Sequence, residues 1–279
     1  MNAITQSPAP FSQFKSVQRE MWAGFGANEG FTTMVAGELV SFAKVARGEA
    51  VLDVGCGTGV VAVVAARAGA HVQGLDLTPA LLERARENAK LAGVDIAFRE
   101  GDVEALPYAD GSFDVVLSQF GHMFAPRPDV ATAEMLRVLK PGGRIAFSTW
   151  PPEHVMGNLF ALIGRHMPAP PAGAPVPAPP PQWGDPNVVR ARLGEAVTNL
   201  RFSRSSMNIP ALSPQHVLAT VEATFGPLKT LLARLDAQQT EQALAVRAEI
   251  LGLVRDNTEG TVLRQFYLLS QATKKAAAQ

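Results

Sequence analysis

Between residues 50 and 150, five short apolar runs alternate with helical segments, and that rhythm leaves few folds open. "AVLDVG", "HVQGLDL", "DIAFREGD", "FDVVLSQF" and "GRIAFSTW" have the length and the glycine- or turn-bounded ends of buried strands. Between them, "VVAVVAARAG" reads as a helix ending at Gly69. "TPALLERARENAKLAG" offers Thr78 as N-cap, Pro79 as first helical residue and Gly93 as stop. "PDVATAEMLRVLK" is a third helix, ended by Pro141 and Gly142. Crossovers between such strands are right-handed, so the spacing predicts a doubly wound, mostly parallel α/β sheet with helices on its two faces. Ligands of such sheets bind outside the carboxyl ends of the strands.

Four segments follow from this pattern. Residues 1–46 read as an N-terminal helical cap, with a polar leader up to about residue 12 and a break between Gly24 and Gly30. Residues 47–150 form the core. Residues 151–198 read as a lid-like insertion: a short helix, a proline-rich tract at 168–182 taken as a surface loop, and the helix "DPNVVRARLGEAV". Residues 199–279 hold a strand-like stretch, the helical segments "SPQHVLATVEATFGPLKTLLARL" and "TEQALAVRAEILGLVRDN", and a β-rich end.

With 47% hydrophobic and 18% charged residues the chain has ample material for a core. Lys plus Arg and Asp plus Glu number 25 each, for a net charge of +0, which gives a nucleic-acid partner no electrostatic footprint. One cysteine forms no internal disulfide, no signal-peptide pattern opens the chain, and no apolar run of about 18 residues suggests a membrane span. A cytoplasmic location is expected. Five scattered histidines and one cysteine form no recognisable metal-ligand pattern, so no metal is expected.

The turn "VLDVGCGTGVV" places Asp53, Gly55, Cys56, Gly57 and Gly59 where the first strand hands over to its helix. Backbone N–H groups there can approach a ligand closely, and the helix N-terminus favours negative charge. Dinucleotide sites space their third glycine three residues after the second. Here Gly59 follows after two, which opposes a dehydrogenase. Asp76, ending the second strand, suits the hydroxyl pair of a ribose, and Asp102 with Val103, after the third, suits an adenine. Each acid has a plain alternative, as a helix-terminus anion or a turn aspartate.

"VLDVGCGTG", "GLDLTPALLERARENA", "FREGDVEALPYADGSFDVVLS" and "EMLRVLKPGGRIAF", in this order, resemble the motifs of class I S-adenosylmethionine-dependent methyltransferases, of the type-11 branch that includes ubiquinone/menaquinone methyltransferases. The resemblance covers about residues 48–150. It implies a seven-stranded Rossmann-like sheet with an antiparallel last strand, whose final pair we assign to 199–209 and 261–273. It implies S-adenosyl-L-methionine as cofactor, with Asp53 and the glycines around the methionine moiety, Asp76 and Leu77 at the ribose, Asp102 and Val103 at the adenine, and Ser118 and Gln119 near the transferred methyl. His122 and His154 follow the fourth and fifth strands and are the candidate general bases; His71 lies at the opposite edge, and His166 and His216 are set aside. Trp22, Phe25 and Trp150, with Phe31, Met156 and Phe160, are candidates to line an apolar acceptor pocket. The expected activity is O- or N-methylation of a small hydrophobic or aromatic metabolite by a monomer or homodimer. C-methylation of a quinone precursor, and a catalytically silent cofactor-binding partner protein, are the alternatives. "SQFGHMF" lacks the Asn/Asp-Pro-Pro-aromatic cluster of nucleic-acid amino-methylating enzymes.

Overall fold

The computed structural model describes residues 11–167, 176–238 and 240–276. Most of the leader and residues 168–175 of the proline tract lie outside them.

Two helices open the fold, α1 (Ser12–Trp22) and α2 (Glu29–Phe42), joined by a 3-10 turn at Ala23–Asn28. The predicted alternation follows as β1 (Ala50–Val54), α3 (Val60–Arg67), β2 (His71–Asp76), α4 (Pro79–Ala92), β3 (Ala97–Glu100) and β4 (Phe113–Gln119). Next come α5 (Pro128–Val138), β5 (Leu139–Thr149), α6 (Val155–His166), α7 (Pro186–Leu193) and β6 (Val197–Pro210). The chain ends with α8 (Pro214–Thr224), α9 (Gly226–Gln238), α10 (Thr240–Asp256), β7 (Thr258–Glu259) and β8 (Val262–Lys274).

The sheet runs β3-β2-β1-β4-β5-β8-β6, with the two-residue β7 added beside β8 as an eighth strand. β1 to β5 pair in parallel, while β8 lies antiparallel to β5 and to β6. Strand order reverses at β1 and β4, which leaves a crevice at their carboxyl ends. β1 is buried on two faces, with Val51, Leu52 and Val54 fully inaccessible, as its unbroken apolar run requires. At the start of α4, Pro79 is the first helical residue and Gly93 stops the helix in the left-handed region, at φ 66°. Thr78 stands at the N-cap but makes no side-chain capping bond; Asp76 Oδ1 accepts its N–H instead, at 2.8 Å.

Two cores result. The larger joins the sheet to α2, α3, α5 and α7; the smaller is built by α6, α8, α9 and α10, with Leu159, Leu228, Leu231 and Ile250 at its centre. Each such side chain contributes about 1.5–3 kcal/mol by leaving water. This division departs from the sequence reading in three places. Residues 1–46 do not form one cap, because Val35, Ala36 and Leu39 of α2 pack into the sheet core. The 151–198 insertion is divided likewise: α6 joins the helical cap, but Trp183 is buried against Phe147 and α7 packs beside α5 and β6. The segment 214–238 is two helices. Phe225 turns out of helical geometry to φ −94°, ψ 100° just before Gly226-Pro227, and Pro227 has no N–H to continue the helix and a ring that would clash with the preceding turn. No described helix is long and apolar enough to cross a membrane.

Candidate functional site

A cavity of about 360 Å³ opens over the carboxyl ends of β1, β2 and β4 and extends beneath the helical cap. On one side lie Asp53, Gly55, Cys56, Gly57, Asp76, Leu77, Asp102 and Val103; on the other lie residues of α6, α8, α10, β6 and β8. The sequence predicted the first group from local motifs, and the sheet brings it together.

The glycines of the first turn differ in what they do. A Cβ on Gly55 would meet the Cα of Gly121 at 2.8 Å, so here the β1 and β4 loops touch backbone to backbone. Gly57, at φ +53°, would place a Cβ in open space, and it lines the cavity. Gly59 turns toward Phe98 and Ala85 instead, tightening α3 against its neighbours.

Asp53 is buried, and its Oδ2 accepts the Ala62 N–H at 3.0 Å while Oδ1 has no partner among the described residues. Burial, with the nearby Asp76 charge, pushes its carboxyl up to about 8. Asp76 accepts the N–H groups of Gly57 and Thr78, each at 2.8 Å, and so pins the glycine turn to the start of α4. Its carboxyl is also raised, chiefly by burial. Asp102 Oδ1 accepts the Glu104 N–H at 2.9 Å, and its Oδ2 pairs with Lys15 Nζ at 2.6 Å. Lys15 also pairs with the fully buried Glu104 side chain, which Arg127 holds from below at 2.8 Å. Through Lys15, α1 is fastened over this end of the cavity. Cys56 is buried, and desolvation holds its thiol well above the usual range, so it stays protonated and fills the loop.

The two residues that end β4 differ: only Gln119 reaches the cavity. Ser118 does not line the cavity; its Oγ donates to Val54 O at 2.6 Å and accepts the His122 N–H at 3.0 Å, bracing two strand ends. Gln119 does line it, with Nε2 donating to Thr32 O at 2.7 Å and a buried Oε1 that has no partner among the described residues.

The histidines are rearranged. His122 borders the cavity, but its ring is wedged against Phe147 and Trp183, with centroids 4.6 Å away in each case. Neither ring nitrogen has a partner among the described residues, and burial lowers its pKa to about 3. A general base needs a pKa near the working pH, and burial holds this ring well below it. His154 stands outside the cavity wall, stacked on Phe266 at 4.5 Å. His216, set aside in the sequence, lines the cavity from the exposed first turn of α8.

Trp22, Phe25, Phe31, Trp150 and Met156 all line the cavity, whereas Phe160 packs behind it between Phe124 and Phe225. Trp150 stacks on Phe120 at 3.6 Å and 9°. Phe120 had no sequence signal. It sits at φ +58°, a strained conformation for a bulky residue that costs about 1–3 kcal/mol, and is held there by the stack and by its N–H to Ser148 O at 3.0 Å.

A methyltransferase domain model matches residues 52–147. An uncharacterized protein of Mycobacterium tuberculosis is 36% identical over 263 residues, spanning 93% of this chain and 94% of its own. The demethylmenaquinone methyltransferase of Deinococcus radiodurans is 36% identical over 146 residues, 51% of this chain and 59% of that one. Among solved structures, the YcgJ protein of Bacillus subtilis superposes with a TM-score of 0.55 at 21% identity, covering 88% of this chain and 99% of that one.

Proposed function

The chain belongs to the class I S-adenosylmethionine-dependent methyltransferases, and from that premise we propose that it methylates an oxygen or nitrogen of a small, uncharged, hydrophobic or aromatic molecule. One observation carries this reading: a single cavity joins the strand-end carboxylates to an apolar chamber roofed by α6, α8 and α10.

The residues present fit the cofactor. Asp53 offers a buried, unpartnered carboxylate oxygen to an ammonium group, and Gly57 opens the wall beside it. Asp76 would take the ribose hydroxyls with the lone pairs its backbone bonds leave free, Leu77 would pack beside it, and Asp102 and Val103 would face the adenine. The bound sulfonium supplies a methyl group already activated for displacement. The chain then has to orient the acceptor and keep water out, which is work for Gln119, anchored to Thr32, and for the wall of Trp22, Phe25 and Trp150.

The test is transfer of labelled methyl from S-adenosylmethionine to hydroxylated and amino-substituted aromatic compounds, with charged amino acids as controls. Label should pass to the uncharged aromatics; a folded protein that binds no S-adenosylmethionine would overturn the reading. Methylation at carbon of a quinone precursor is the second reading, favoured by the likeness to the Deinococcus radiodurans enzyme over half of this chain, and the bonding of the labelled methyl in the product separates the two. In the same assay His122→Leu should keep kcat/KM within about threefold, where removal of a general base costs roughly 10²–10⁴-fold.

A further inference from the structure

The apolar chamber contains one polar side chain that neither the fold nor the cofactor accounts for. Gln265, on β8, is 3% exposed, lines the cavity, and has a buried Nε2 with no hydrogen-bond partner among the described residues. Its strand places it there: Met207 pairs with Gln265 and Ile209 with Leu263 across β6 and β8, and these four residues share the face that forms the chamber wall. The other three are apolar. A buried amide left without a partner is destabilising, and a buried polar group that stays unpaired in a native chain calls for a reason. Gln119 shows the same condition across the cavity. Its Nε2 is fixed on Thr32 O, so the free end is Oε1, an acceptor.

The charges are distributed just as unevenly. Among the described residues, the Lys, Arg, Asp and Glu side chains lining the cavity are Lys15, Asp53, Asp76 and Asp102, on α1 or near the ends of β1, β2 and β3. The chamber under α6, α8 and α10 has none, and His216 at its rim is exposed. An ionised acceptor would enter it without a counter-charge and would lose its hydration uncompensated.

We infer that Gln265 is an acceptor-recognition residue, and that the acceptor is an uncharged, otherwise apolar molecule whose hydroxyl or comparable polar group bonds to the Gln265 amide. A hydroxyl both donates and accepts, so it satisfies either end of that amide. A donor N–H or O–H on the same molecule meets Gln119 Oε1. This deepens the methyltransferase reading and rests on it for the identity of the chamber as the acceptor site.

The experiment uses the full chain at pH 8, with and without saturating S-adenosylhomocysteine, titrated with 1-naphthol, naphthalene and 1-naphthoate. 1-Naphthol should bind more tightly than naphthalene, and 1-naphthoate most weakly. Gln265→Met, close in volume, should weaken 1-naphthol about tenfold, leave naphthalene within about twofold, and leave S-adenosylhomocysteine affinity unchanged. Equal affinities for naphthol and naphthalene, naphthoate as tight as naphthol, no binding by any of the three, or a folded Gln265→Met chain that binds naphthol like wild type would each overturn the assignment. If the variant fails to fold, the ordering of the three probes on wild type decides. Absence of S-adenosylhomocysteine binding to folded wild type would instead sink the methyltransferase reading, while the naphthol comparison still reports on Gln265.

Discussion

A Gly121→Ala chain is expected to be about 1–3 kcal/mol less stable than wild type and to lose most of its affinity for S-adenosylmethionine. The backbone angles of Gly121, φ −84° and ψ −54°, suit any residue, so conformation gives no reason for glycine. The reason is contact. A Cβ there would lie 2.4 Å from Gly55 O and 2.8 Å from Gly55 Cα. Neither atom belongs to a flexible side chain that can swing aside. Gly55 follows directly on β1, and Gly121 sits between the strained Phe120 and His122, whose N–H the Ser118 hydroxyl accepts. Relief has to come from parting the two loops, and the glycine turn with Asp53 and Gly57 moves with them. Thermal unfolding should fall by roughly 2–4 °C per kcal/mol, and calorimetric titration with S-adenosylhomocysteine should show the loss of affinity. Gly37→Ala is the contrasting case. Gly37 is exposed in α2 with nothing within 4 Å of its added Cβ, so that change should stabilise by about 0.5–1 kcal/mol. A Gly121→Ala protein as stable as wild type would mean that the loops part without cost.

That contact shows where the sequence stops being legible. β1 to β5, the Gly93 stop and the three acids near strand ends were readable because each is a local pattern: an apolar run, a cap, an acid where a strand gives way to its turn. The Gly55–Gly121 approach is not local. Nothing in "SQFGHMF" distinguishes a glycine needed for a turn from one needed because another backbone occupies the space a Cβ would take. His122 misleads for the same reason. Its position after β4 puts it at the binding edge, but whether the ring faces the cavity depends on Trp183, delivered by a segment that reads as a lid. Gln265 and His216 enter the cavity because β8 inserts between β5 and β6 and carries the α8–α10 cap over the crevice. The Phe225 break had a readable signal in "FGPL", which helical periodicity on the two sides obscured.

Asp76→Ala should weaken S-adenosylmethionine binding at least 100-fold while the chain remains folded. Two contributions act in the same direction. Ribose hydroxyls bonded to a carboxylate are each worth about 1.5–3 kcal/mol, and two such bonds correspond to roughly 10²-fold or more. The same carboxylate accepts the N–H groups of Gly57 and Thr78, so its removal also releases the glycine turn. Stability moves less, because the carboxylate's own burial is unfavourable: desolvation raises its pKa, and an uncharged replacement is spared that penalty while it forfeits the two backbone bonds. Asp76→Asn is not a mild substitute. One of its two ends becomes an N–H donor facing an N–H donor, Gly57 or Thr78, and it should bind nearly as poorly as the alanine variant. Titration with S-adenosylhomocysteine and its 2′-deoxy analogue separates the contributions. If the ribose contact dominates, wild type should favour the parent ligand strongly and Asp76→Ala should bind the two alike. If unpinning of the turn dominates, both ligands weaken by the same factor and wild type distinguishes them little. Affinity within about threefold of wild type would remove Asp76 from the site and leave its two backbone bonds as its whole role.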